Sequence, residues 1–221
     1  NNMEPRKAIL INNSTQPTNK KTYLVWVSFV VGMCAMGIEM ATARLLTPYF
    51  GNSLYTWTSL IGTIMLCLTM GYYLGGYMAD KYQSRKLLYS LLLGAGIYFS
   101  LMPFWAAYFL KPMLSWVATH SLSLFFISLI ATLLLLGMPF ILVGMITPYI
   151  IRLNSYQQEK LGRVTGKIAA YSTLGSILGT FIPIFLAIPF YGTTRTILYF
   201  GLLLIATAII GLGNRILKKI K

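Results

Sequence analysis

The stretch Gly75-Gly76-Tyr77-Met78-Ala79-Asp80-Lys81-Tyr82-Gln83-Ser84-Arg85-Lys86 lies between two long apolar runs. Its polar middle is too short to fold alone, so it reads as a tight hairpin joining two hydrophobic helices. Gly76 would let a neighbouring helix approach closely, as small residues do in membrane packing. Asp80 ends the first helix beside Lys81, Arg85 and Lys86, where a carboxylate can accept from a helix end or pair with a cation.

Composition fixes the solvent of the flanking helices. Of 221 residues, 57% are hydrophobic and 10% are charged, against about a quarter charged in a soluble domain. The chain is predicted to be an all-α integral membrane protein. The net charge of +14 does not imply nucleic acid, because the basic residues sit in loops and tails between apolar runs. At roughly twenty residues per crossing, six spans are expected at 22–46, 55–79, 86–110, 121–151, 165–190 and 194–213. Residues 1–21 form a polar tail and 215–221 a basic one around a transmembrane domain, 22–214. Pro139 and Pro148 predict a kink in the fourth span.

Orientation follows from the same charges. With the N-terminus in the cytoplasm, every one of the 18 Lys and Arg residues except Arg44, Lys111 and Arg195 falls on the inner side, as the positive-inside rule requires. Both termini are expected in the cytoplasm of a multi-pass protein of the cell (inner) membrane.

From Gly76 onward the hairpin is G-x-x-x-D-K-x-Q-x-R-K, which closely resembles the cytoplasmic loop signature of the major facilitator superfamily of transporters; only Gln83 departs, where that family usually has Gly. The resemblance implies a six-helix unit built as two inverted three-helix repeats, like one half of a facilitator. Thr47-Pro48-Tyr49 and Thr147-Pro148-Tyr149 fit such a repeat. The blocks Glu39 to Ser59 and Tyr171 to Thr180 further resemble the membrane domain of fused transporter-like/spermidine synthase proteins. After Asn214 only a short tail remains, so no synthase domain is expected in this chain.

The candidate site centres on Glu39. Counted from Thr22 it lies roughly 25 Å along its helix, and an ionisable group at that depth marks a functional position by default. Its face, Ser28, Gly32, Ala35, Met36, Thr42 and Ala43, is small and polar, suited to a water-filled cavity or a close helix neighbour. Arg44, ~140° further around the helix, snorkels to the outer interface or caps the cavity. Asn52, Tyr55 and Trp57 suit a binding rim or an aromatic belt. Gly71, Gly75, Gly175 and Gly179 form G-x-x-x-G pairs for packing within one copy or between two. Asp80 and Arg85 are expected to hold an inner gate. Cys34 and Cys67 read as small hydrophobes. His120 stands without a companion ligand, so neither metal nor cofactor is expected.

No nucleophile-base pair or phosphate loop is visible, and an enzyme is the least expected class. The leading expectation is a half-size secondary transporter, working as a homodimer around a shared cavity that Glu39 faces. Its solute would be small and cationic, polyamine-like by resemblance, with proton coupling through Glu39. The alternative is a membrane subunit or anchor for a separately encoded aminopropyltransferase.

Overall fold

The computed structural model describes residues 18–119, 124–154 and 161–216. His120, Lys160 and most of both tails lie outside these residues. Within them the chain is helical, with six helices long and apolar enough to cross a membrane. We label them α1 (Thr18–Phe50), α2 (Leu54–Lys81), α3 (Arg85–Thr119), α4 (Leu124–Asn154), α5 (Leu161–Tyr191) and α6 (Thr193–Ile216).

Turn chemistry sets two of the boundaries. Gly51 and Gly192 adopt φ of 71° and 79°, the left-handed region open to glycine. The first span therefore stops at Gly51 and runs through Pro48, past its expected end at residue 46. Ser53 then caps α2, its hydroxyl accepting from the Thr56 amide at 3.3 Å. α4 is helical through both Pro139 and Pro148. A π-helical turn lies in α5, at Pro183–Ala187. Proline lacks the amide that would bond one turn back, which favours such a local change of pitch.

Helices consecutive in sequence are not the main partners. The most extensive contacts are α2 with α4, α1 with α5 and α3 with α6, followed by α3 with α4 and α1 with α6. α2 and α4 run parallel, from Ser59 beside Ser128 to Gly75 beside Met145. α1 and α5 also run parallel, Gly32 against Ser172 and Met33 against Gly179. α3 and α6 are antiparallel, with Gly201 against Ser100 and Gly211 against the Tyr89 ring. The core collects Ile38, Leu46, Leu92, Phe99, Phe140, Ile146 and Tyr149, all fully buried.

The four stripe glycines explain two of these pairs. A Cβ at Gly71 would sit 2.8 Å from the Gly144 Cα, and one at Gly75 2.5 Å from the Met145 Cα. A Cβ at Gly175 would sit 2.9 Å from the Phe29 carbonyl carbon, and one at Gly179 3.0 Å from the Met33 Cα. The stripes thus let backbone meet backbone inside one chain, and their surface is not available to a second copy. Gly76 behaves otherwise. Nothing lies within 4 Å of its would-be Cβ, so the close approach expected there occurs one residue earlier, at Gly75.

Candidate functional site

Glu39 lies in the body of α1 and is 8% exposed. Among the described residues no donor or cation reaches its carboxylate. Extending the α1–α5 register set by Gly32 and Met33 brings Glu39 level with Pro183–Ala187, and that turn does pack on α1. The carboxylate is therefore enclosed within one chain. Within one chain α1 is flanked by α5, α6 and α4.

Past Ala43, one turn further along α1, a narrow crevice opens between α1 and α2. Ala43, Thr47, Asn52, Thr56, Trp57 and Leu60 line it. The Trp57 indole Nε1 donates to Asn52 Oδ1 at 2.8 Å across its rim, and Thr47 donates back to Ala43 O at 2.9 Å. Of the predicted rim residues, Asn52 and Trp57 are together here. Tyr55 is 63% exposed and outside the crevice, and Arg44 is exposed on another side of α1.

Hydroxyls line the walls below the crevice. Ser128 donates to Ser59 at 2.9 Å, joining α4 to α2. Thr132 donates to the Ser128 carbonyl at 2.7 Å. Two hydroxyls differ from these. Thr42 and Thr63 are buried, and their oxygens have no hydrogen-bond partner. Buried hydroxyls are ordinarily paired, so both stand out. In the sequence Thr42 is only one of the small and polar residues on the Glu39 face.

At the opposite end of the bundle, where α2, α4 and the starts of α3 and α5 gather the basic residues, several polar groups are tied to one another, while Asn154, buried at the end of α4, has no partner for either side-chain amide atom. Asp80 pairs with Arg152 at the end of α4, Nε to Oδ1 3.0 Å. Arg152 takes the place expected for Arg85, which lies half-buried at the first position of α3. Lys81 sits over the Tyr82 ring at 5.3 Å, and Lys86 is exposed. The fully buried Tyr149 hydroxyl donates to the Tyr82 carbonyl and lies 3.4 Å from the Ser84 amide. The Thr-Pro-Tyr tripeptide was the only sequence signal for this contact. Among the described residues no group of His, Cys, Asp and Glu is placed to hold a metal ion.

Comparison with known proteins gives two relatives. The chain is 28% identical over 206 residues to polyamine aminopropyltransferase 1 of Ralstonia nicotianae, covering 90% of this chain and 36% of the relative. It is 28% identical over 192 residues to polyamine aminopropyltransferase 2 of the same organism, covering 84% and 34%. The chain thus spans about a third of the length of the curated relatives it matches. No family model matches, and no solved structure matches.

Proposed function

We propose that the chain is a facilitator-type half unit that carries a small cationic, polyamine-like solute across the membrane, with its basic end in the cytoplasm. The pattern of helix contacts carries this reading. Exchange α1 with α4, α2 with α5 and α3 with α6, and the five most extensive pairs map onto one another. The parallel α1–α5 pair becomes the parallel α4–α2 pair, α1–α6 becomes α4–α3, and the antiparallel α3–α6 pair maps onto itself. Such exchange is what inverted three-helix repeats produce. Fold alone does not assign a solute. The enclosed carboxylate of Glu39 supports a cation or a carried proton, and the relatives' names support polyamines.

Two copies side by side make the full transporter in this reading. The faces left to meet are the apolar outward faces of α2 and α5, not their glycine stripes. In α5 only 17% of the apolar window is buried inside the chain. The test is uptake of labelled 1,4-diaminobutane into liposomes holding the purified chain, with Glu39→Gln alongside. Uptake that is saturable and lost in Glu39→Gln is expected. Absence of uptake by the native chain would end the transport reading.

The relatives favour one second reading, a membrane module that serves an aminopropyltransferase without moving solute itself. It is supported by aminopropyltransferase retained on the tagged chain in native membranes, with no liposome uptake. The half-unit architecture is common to both.

A further inference from the structure

We infer that Glu39, Thr42 and Thr63 together form a binding site for a primary ammonium group at the junction of α1, α2 and α4. The inference rests on the reading that the solute is cationic and names the groups that would recognise it. The helix registers bring the three residues into one layer. Ala43 and Thr47 of α1 and Thr56, Trp57 and Leu60 of antiparallel α2 line the same crevice. One turn further from the rim, α1 presents Glu39 and Thr42 while α2 presents Thr63. The parallel α2–α4 pair, fixed by Ser59 to Ser128 at 2.9 Å, sets Thr132 beside the Thr63 turn.

The two hydroxyls are unusual for this chain. Thr47, Thr69, Thr132, Thr180, Thr196 and Thr207 each donate to the carbonyl four residues back. Thr42 and Thr63 are 0% and 4% exposed, yet their oxygens have no partner. Glu39, 8% exposed, likewise receives no donor among the described residues. A buried hydroxyl without a partner is costly, and two of them level with a carboxylate that receives no donor point to a donor that arrives from outside. A primary ammonium carries three N–H donors and no acceptor. One proton to the carboxylate makes a charge-assisted bond, and one to each hydroxyl completes the set. A quaternary ammonium has the charge but no donor, so this site would discriminate against it.

The crevice supplies the approach. Its rim carries Asn52 and Trp57, and its floor is Ala43 and Leu60, at 8% and 1% exposure. Leu60 separates the rim from the three oxygens and must swing aside for a ligand to pass.

The experiment is calorimetric binding to the full chain in nanodiscs, with n-butylammonium, 1,4-diaminobutane and tetramethylammonium as probes. The two primary amines should bind and tetramethylammonium should not. Thr42→Val and Thr63→Val should each weaken butylammonium binding about tenfold, the size of one hydrogen bond to a charged group. Thr42→Ser, which keeps the hydroxyl, should retain the affinity, and Glu39→Gln should lose more than either valine variant. Melting temperatures at or above that of the native chain are expected for the valine variants, because no protein bond is removed. Equal binding of tetramethylammonium, binding of neither class, or unchanged affinity in both valine variants would overturn the site. Binding with the expected hydroxyl dependence but no liposome uptake would sink transport and keep the site. Uptake indifferent to both threonines would do the reverse.

Discussion

The two ends of the helix bundle hold their polar groups differently. At the basic end Asp80 has Arg152, and the Tyr149 hydroxyl holds the Tyr82–Ser84 link. Gly71 and Gly75 let α2 press on the α4 backbone just beside them. Toward the Asn52–Trp57 end, Thr42 and Thr63 are 0% and 4% exposed without a partner, and Glu39 receives no donor among the described residues, whereas Asp80 and Arg152 are 73% and 45% exposed. At the basic end Asn154 is buried without a partner as well. A paired buried group contributes to holding the fold, whereas an unpaired one costs stability, so the unpaired set is where function is to be sought.

The strongest way to break this contrast is Gly75→Leu. The new side chain would meet Met145 backbone atoms that cannot move aside like a side chain. A loss exceeding about 3 kcal/mol is expected, at the upper end for overpacked cores, measured by reversible unfolding in mixed micelles. A native-like melt would show that the α2–α4 contact is looser than described.

Tyr149→Phe should come next, at about 1–2 kcal/mol for one buried hydroxyl that also spans to the Ser84 amide. Its diagnostic is local: faster protease cleavage at Tyr82–Ser84 than in the native chain. Equal cleavage would mean that the hydroxyl does not secure the link. Arg152→Ala should cost no more than about 1 kcal/mol, since Asp80 is 73% and Arg152 45% exposed and exposed pairs are weak. Its effect should fade with added salt. Asp80→Asn should behave alike in stability.

The smallest effect sharpens the other end. Trp57→Phe deletes the indole bond to Asn52 on an exposed rim and should cost about 0.5 kcal/mol. Any change in butylammonium on-rate beyond twofold would make that rim part of the route. A larger drop in stability than for Tyr149→Phe would invert the comparison between the two ends.

Six apolar runs were legible because lipid-spanning helices are written as length and apolarity, and the glycine stripes because small residues recur every four positions. Their partners were not legible. A stripe says that a backbone can come close, but not whose, and here α4 and α1 take up what had been assigned in part to a second copy. Gly75 and Gly76 differ by one residue, hence by ~100° on the helix, enough to separate a packed position from an open one. The ion pair of Asp80 escaped notice because Arg85 is near in sequence while Arg152 is near only in space. Thr42 and Thr63 looked like any small polar residue. What distinguishes them is a missing bond, which only three-dimensional contacts can expose.

The pairing of α1 with α5 has a consequence for how the chain is made. α1 leaves the ribosome long before its principal partner, with on the order of a hundred residues between Phe50 and Leu161. At roughly 5–20 residues per second, α1 would wait several seconds or more in the bilayer with Glu39, Ser28 and Gly32 uncovered. The earlier arrivals α2, α3 and α4 close their own contacts first, α2 on α4 most extensively. An insertion chaperone that shields polar intramembrane faces would therefore have its longest dwell on α1, and its release would coincide with the emergence of Gly175 and Gly179.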